Sequence, residues 1–71
     1  MSTPDKAQKF NAAHPVGTPV RYWPGLRRGD GIESVTRTPA WAMGGHTAVV
    51  SVEGYAGGIA LTHVEVLGEV A

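Results

Sequence analysis

The chain has 71 residues, no cysteine, and six basic against six acidic side chains. This length predicts a single domain with a small core, and the lack of cysteine excludes a disulfide, a thiolate zinc site and a cysteine nucleophile. Zero net charge argues against a general binder of polyanions. The charge is nevertheless uneven: residues 1–37 hold all six basic and three acidic side chains (+3), and residues 38–71 hold the other three acidic ones (−3).

The N-terminal residues, 1–18, are predicted to form a flexible arm. Ser, Thr and Pro dominate its start, which is typical of a disordered end. The following segment, Lys6–His14, holds a single large apolar side chain, Phe10. Because short isolated helices are marginal in water, it allows one helical turn that docks Phe10 but not an independent helix. Pro15 then restricts His14 to extended geometry.

The rest of the chain, residues 19–71, is predicted to be one small β-barrel. β-Branched and alternating side chains indicate five short strands, over 20–23, 32–38, 46–53, 59–62 and 64–67. They are separated by a long first loop (24–31), a middle connection (39–45), a tight hairpin (53–58) and a one-turn break near His63. Since a sandwich needs more strands, the pattern predicts an all-β, five-stranded SH3-like barrel with a flexible N-terminal arm. The expected core residues are Val20, Tyr22, Ile32, Val35, Val50, Val52, Ile59, Leu61, Val64 and Leu67.

Six short stretches carry a resemblance to known proteins. They are Pro15–Val20, Tyr22–Gly25, Thr36–Thr38, Gly44–Thr47, Val52–Gly54 and Ile59–Val64. Together they resemble a group of small proteins from actinobacteria and their phages. The resemblance implies an accessory protein of a phage or another mobile element, and it implies no particular chemistry.

A more distant resemblance concerns the C-terminal part of the chain. The layout of Val49–Leu67 is similar to the end of the plasmid-borne type II dihydrofolate reductases, which are SH3-like barrels that assemble as tetramers around one pore. In that family a Val-Gln-Ile-Tyr segment lies on the strand that follows its Gly, and the Gln and the Tyr of this segment line the pore. Here Ala60 and Thr62 stand at those places. The resemblance therefore favours the fold and argues against the activity.

Metal binding and catalysis find little support in the sequence. The three histidines, His14, His46 and His63, are separated by 32 and 17 residues, whereas zinc sites usually present two ligands from one turn or hairpin. No nucleophile elbow surrounds a serine, and no phosphate-binding loop is present. We therefore expect no metal, no cofactor and no catalytic residue.

Aromatic and basic side chains occur together and form the candidate binding site. Its members are Tyr22, Trp23, Arg27, Arg28, Arg37 and Trp41. Neighbouring residues of a strand point to opposite faces, so Tyr22 and Trp23 are not both expected in the core. Exposed Trp and Arg are frequent in protein interfaces, and they can also stack on bases and bind phosphate. The alternative is structural, with Trp23 or Trp41 closing the barrel end or packing on the arm.

The sequence as a whole favours a small non-catalytic binding or assembly module, with self-association or a protein partner. One alternative is a nucleic-acid-binding barrel that adds Arg21 and the arm lysines Lys6 and Lys9 to the same residues. A second is a tetrameric pore enzyme similar to the type II reductases. No apolar run approaches the roughly 20 residues that cross a bilayer, and no signal peptide opens the chain. We therefore expect no membrane contact and a cytoplasmic location, in the host cytoplasm if the protein is phage-encoded.

Overall fold

A computed structural model describes residues 3–44 and 46–68, which form one helix and six short strands. The helix α1 covers Thr3–Ala13, and a 3₁₀ turn covers Leu61–His63. The strands are β1 (Pro19–Tyr22), β2 (Ile32–Val35), β3 (Trp41–Met43), β4 (Thr47–Val50), β5 (Ile59–Ala60) and β6 (Val64–Val66). The mainly β character that the sequence predicts is confirmed.

The strands form two antiparallel sheets of three strands each. The first sheet has the order β2-β1-β6 and the second has the order β3-β4-β5. A single bridge, Thr36 to Val52, joins the chain just after β2 to the chain just after β4. The expectation of a closed five-stranded barrel is therefore wrong. The described residues form six strands in two sheets, and the backbone pairing between the sheets consists of this one bridge.

The strand that the sequence analysis missed is β3. It follows the predicted strand 32–38 after a break at Pro39, which lacks the N–H that a ladder needs. At this break the Ser51 N–H donates to the Thr38 hydroxyl at 3.3 Å, so that a side chain replaces a ladder bond. The single strand expected over 32–38 is thus the first half of a bent pair, with Trp41–Met43 as the second half.

The predicted flexible arm is replaced over most of its length by α1, which packs on β3 and β4. Its inward side chains are Ala7, which is 5% exposed, and the half-buried Phe10. They meet the small side chains Ala40 and Ala48, which let the helix approach the sheet closely. A helix of this length is marginal in water by itself, but packing on the second sheet stabilises α1.

One side chain of α1 makes a paired contact with the backbone. The Asn11 amide donates to the Ala40 carbonyl at 2.9 Å, and its oxygen accepts the Ala40 N–H at 2.6 Å. The side chain therefore occupies the backbone edge of the residue that precedes β3, as a neighbouring strand would. Exposed strand edges invite pairing with other chains. Asn11 occupies the hydrogen-bonding groups of Ala40 at this edge and thereby fixes the position of α1.

We predict that Asn11→Ala lowers the free energy of unfolding by about 1–3 kcal/mol, because two part-buried backbone groups lose their partner. Urea unfolding measures the loss. The matched control is Gln8→Ala, on the exposed face of the same helix, which we expect to change stability by less than about 0.5 kcal/mol. Equal effects of the two substitutions would contradict the docking role of Asn11.

The core consists of two clusters that share Val64. The first contains Ala7, Ala40, Ala48 and Val50, with Phe10, Leu61 and Val64 packed against it. The second contains Val20, Tyr22, Val52 and Ile59, with Val64 and Val66 packed against it. The predicted core positions Ile32 and Leu67 are wrong, since they are 49% and 39% exposed. Ile32 opens β2 at the sheet edge, and Leu67 lies beyond the end of β6.

Candidate binding surface

The structure places the predicted binding residues on several elements. Tyr22 ends β1 and Trp23 follows it, Arg27 and Arg28 lie in the first loop, Arg37 lies between β2 and β3, and Trp41 opens β3. Tyr22 and Trp23 are 4% and 8% exposed, so the expectation that only one of them is buried is wrong. The reason is that β1 ends at Tyr22 and strand alternation ends with it. The Trp23 N–H donates to the His63 carbonyl at 3.0 Å, and its indole N–H donates to the Gly29 carbonyl at 3.2 Å. Trp23 therefore holds the first loop against the 3₁₀ turn.

The guanidinium group of Arg27 stacks on the ring of Trp23. Its guanidinium carbon lies 4.5 Å from the ring centroid, and Nη1 donates to the Thr62 carbonyl at 2.8 Å. Nη2 lies 3.7 Å from a Glu65 carboxylate oxygen. These contacts join the first loop to the 3₁₀ turn and to β6, so Arg27 acts as a clamp on the loop.

The basic residue of the first sheet, Arg21 on β1, is close to acidic side chains. On its outer face Arg21 lies between two carboxylates, 3.6 Å from Glu33 and 3.3 Å from Glu65. Exposed pairs of this kind contribute little to stability. They do reduce the local positive charge that a phosphate backbone would require.

The two remaining arginines of the candidate site, Arg28 and Arg37, do not take part in the contacts around Trp23. Arg28 is exposed in the first loop. Arg37 follows the Thr36 bridge, and its guanidinium donates to the carbonyls of Val52 at 3.0 Å and Tyr55 at 3.3 Å. Arg37 thus ties the connection after β2 to the loop between β4 and β5, and this contact differs from the Trp23–Arg27 stack.

Trp41 is the aromatic side chain of the candidate site that remains at the surface, at 38% exposed. The register pairs it with Val49 and pairs Met43 with Thr47, while Val49 also faces Ala60. These five residues share the face of the second sheet opposite to the core positions Ala48 and Val50. We call this face, made of Trp41, Met43, Thr47, Val49 and Ala60, the Trp41 face.

The Trp41 face is apolar and closely packed at its centre. Met43 is 46% exposed, whereas Val49 between the exposed side chains is only 3% exposed. A Cβ on Gly58 would lie 2.8 Å from Val49 Cγ2 and 3.0 Å from Val49 Cβ, so a side chain at position 58 would collide with Val49. Met43 and Val49 were not among the predicted site residues. The alternation Trp41-Ala42-Met43 between Pro39 and Gly44 is the signal that could have found them.

The three histidines lie on different elements, at the end of α1, before β4 and in the 3₁₀ turn. His14 packs on Phe10 with a ring-centroid distance of 5.0 Å. Within residues 3–44 and 46–68, no three His, Asp or Glu side chains come together as a metal site would require. In the same described ranges, no helix has the length and apolar character needed to cross a membrane.

Comparison with known proteins found no protein-family model, no curated protein and no solved structure that matches the chain.

Proposed function

We propose that this chain is a small non-catalytic assembly module that pairs with a second copy of itself through the Trp41 face. The observation that carries the proposal is the placement of Trp41 and Met43 side by side, exposed, on a face that the two core clusters do not use. Trp and Met are enriched at protein interfaces. Among the described strand residues of this face, only Thr47 has a polar side chain, so the surface favours burial over chemistry.

We infer a second copy as the occupant because the face is uncharged, so that two copies of it can meet without repulsion between like charges. In a two-fold symmetric dimer the same patch meets itself, so a charged patch would bring like charges together. The outer face of the first sheet carries Arg21 with Glu33 and Glu65, and burying it would require removing water from three charges. Pairing also helps a chain of 71 residues, since a core this small gives a narrow stability margin.

The proposal includes an open form of the SH3-like arrangement for each subunit. Three features support it: β1 lies between β2 and β6, the chain bends from the first sheet into the second between β2 and β3, and a 3₁₀ turn connects β5 to β6. Resemblance to proteins of actinobacteria and their phages stays a prediction, as does an accessory role in a phage.

The test compares the self-association of two variants. We expect Trp41→Gln to weaken dimerisation at least about 30-fold, because an interface tryptophan at a hot spot contributes 2 kcal/mol or more. The matched control is Leu26→Gln, which removes an apolar side chain that is 76% exposed in the first loop, away from the Trp41 face. Sedimentation equilibrium measures both dissociation constants.

Urea unfolding at low concentration shows whether Trp41→Gln still folds, which we expect because Trp41 is exposed. Folded Trp41→Gln that dimerises as strongly as the Leu26→Gln control would contradict the proposal. A monomeric starting protein that binds a different chain through Trp41 would also contradict it, because the partner would then not be a second copy.

A further inference from the structure

The first loop contains the one position in the chain at which an aspartate directly precedes a glycine. The two aspartates are Asp5 and Asp30, and only Asp30 is followed by a glycine, Gly31. Because glycine has no side chain, its amide nitrogen can be approached closely by the carboxyl group of the preceding residue. Asp30 is exposed and lies in a turn. The loop therefore presents a carboxyl group next to an unshielded backbone amide.

The two groups that could react at this position are not held by other contacts. Among the residues that the structure describes, the Asp30 carboxylate has no hydrogen-bond or ion-pair partner, and the Gly31 N–H, just before β2, donates no hydrogen bond. Asp5 differs because it lies in the first turn of α1. There the helical dihedral angles are fixed and Lys6 carries a side chain, so the amide after Asp5 cannot turn toward its carboxyl group.

We propose that the peptide bond between Asp30 and Gly31 is a site of spontaneous isomerisation to isoaspartate. The Gly31 nitrogen attacks Cγ of Asp30, so that an N–Cγ bond forms, a Cγ–O bond breaks, and water leaves with the amide proton. Water then adds to the main-chain carbonyl carbon of this succinimide ring and breaks its bond to the Gly31 nitrogen. The product has the same composition, but its backbone runs through Cβ and Cγ of Asp30, and the former main-chain carbonyl is a carboxylate.

Isomerisation at this position lengthens the loop backbone between two contacts with Trp23. On one side of Asp30, the Gly29 carbonyl accepts the indole N–H at 3.2 Å. On the other side, a Cβ on Gly31 would lie 2.7 Å from Trp23 Cε2, which shows that the Gly31 backbone lies against the ring. A connection with an added backbone carbon cannot keep both contacts in place. Isoaspartate at position 30 therefore loosens the first loop from Trp23.

The experiment follows isoaspartate formation in the folded protein during incubation at neutral pH and physiological temperature. Trypsin separates the two aspartates, because it cleaves after Lys6, Arg28 and Arg37 and so yields the peptides 1–6 and 29–37. Chromatography with mass spectrometry shows the isoaspartyl form as a second peak of unchanged mass. We expect this peak to grow markedly faster for 29–37 than for 1–6. Its absence from 29–37, or equal growth for both peptides, would overturn the proposal.

Asp30→Glu is the matched control because it keeps the charge and the exposed position of the side chain. A glutamate would have to close a larger ring onto the Gly31 nitrogen, and that ring forms much more slowly. We therefore expect no second peak for the peptide 29–37 of this variant over the same incubation. A second peak as large as that of the unmodified sequence would assign the isomerisation to another residue and overturn the proposal.

Urea unfolding of the incubated protein, at one protein concentration, tests the effect on the first loop. We expect a fraction that unfolds at lower urea concentration and that equals the isoaspartyl fraction in size. Incubated Asp30→Glu is expected to keep a single transition. An isoaspartyl fraction that unfolds together with fresh protein would overturn the loosening of the loop from Trp23. Because Trp41 lies on the second sheet, these results are independent of dimerisation through the Trp41 face.

Discussion

Replacing Trp23 by alanine is expected to lower the free energy of unfolding by about 3–5 kcal/mol, as the loss of a buried large aromatic side chain does. A chain of 71 residues has a total stability of about 4–11 kcal/mol. The substitution therefore removes a large share of the stability or all of it. It also removes the indole partner of the Gly29 carbonyl and the ring beneath Arg27, so that the first loop loses the side chain on which it packs.

Thermal and urea unfolding measure this loss, and Trp23→Phe is the matched control. The control keeps an aromatic ring under Arg27 and loses the indole N–H, so we expect a smaller cost than for alanine. If Trp23 were instead an exposed binding residue, Trp23→Ala would change stability by no more than about 0.5 kcal/mol. That result would contradict its assignment to the folded framework.

Replacing Gly31 by alanine is expected to cost about 2–5 kcal/mol, from two separate causes. Gly31 has a φ of +70°, a left-handed conformation that costs other residues about 1–2 kcal/mol. A Cβ there would also lie 2.7 Å from both Trp23 Cε2 and Arg21 Cγ, which adds about 1–3 kcal/mol of overpacking. The substitution thus forces Trp23 or Arg21 out of place.

Gly29→Ala separates these causes within the same loop. Gly29 has a φ of +74°, but a Cβ there would meet nothing within 4 Å. We therefore expect only the backbone cost of about 1–2 kcal/mol. The difference between the two variants in urea unfolding measures the contact of position 31 with Trp23. Equal losses would show that this contact is absent in solution.

The sequence predicts much of the chain from residue 19 onward because its side chains follow β-strand periodicity. The expected break near His63 is confirmed as the 3₁₀ turn Leu61–His63, and Val20, Tyr22, Val50, Val52 and Ile59 are buried as expected. The helix α1 could not be predicted in the same way. Its docking depends on Ala7 against Ala40 and Ala48 and on the Asn11 pair, which are tertiary contacts between polar or small side chains.

For the candidate site, the sequence predicts which residue types take part but not which of them are exposed. Aromatic and basic residue types identify Trp23, Arg27 and Trp41 equally well, but only the fold distinguishes their environments. Trp23 is closed in by a loop that turns back at Gly29 and Gly31, whereas Trp41 has a neighbour in Met43 on an open face. Periodicity within one strand does not report such contacts between distant segments.

Nucleic-acid binding stays a prediction with weaker support than self-association. The carboxylates of Glu33 and Glu65 lie within 4 Å of Arg21, and Glu65 also lies within 4 Å of Arg27, so part of the expected basic face is offset locally. A strong dependence of affinity on salt concentration would be the mark of phosphate contacts. Fluorescence anisotropy with a labelled oligonucleotide at low and high salt measures that dependence.

The central claim is that exposed Trp41 and Met43 are covered by a second copy of the chain. The measurement that tests it most directly is the solution mass of the unmodified protein by sedimentation equilibrium over a wide concentration range. We predict a mass that rises with concentration to that of two 71-residue chains. We also predict that Trp41→Gln displaces this rise to higher concentration. A mass equal to that of one chain across the whole range would contradict the claim.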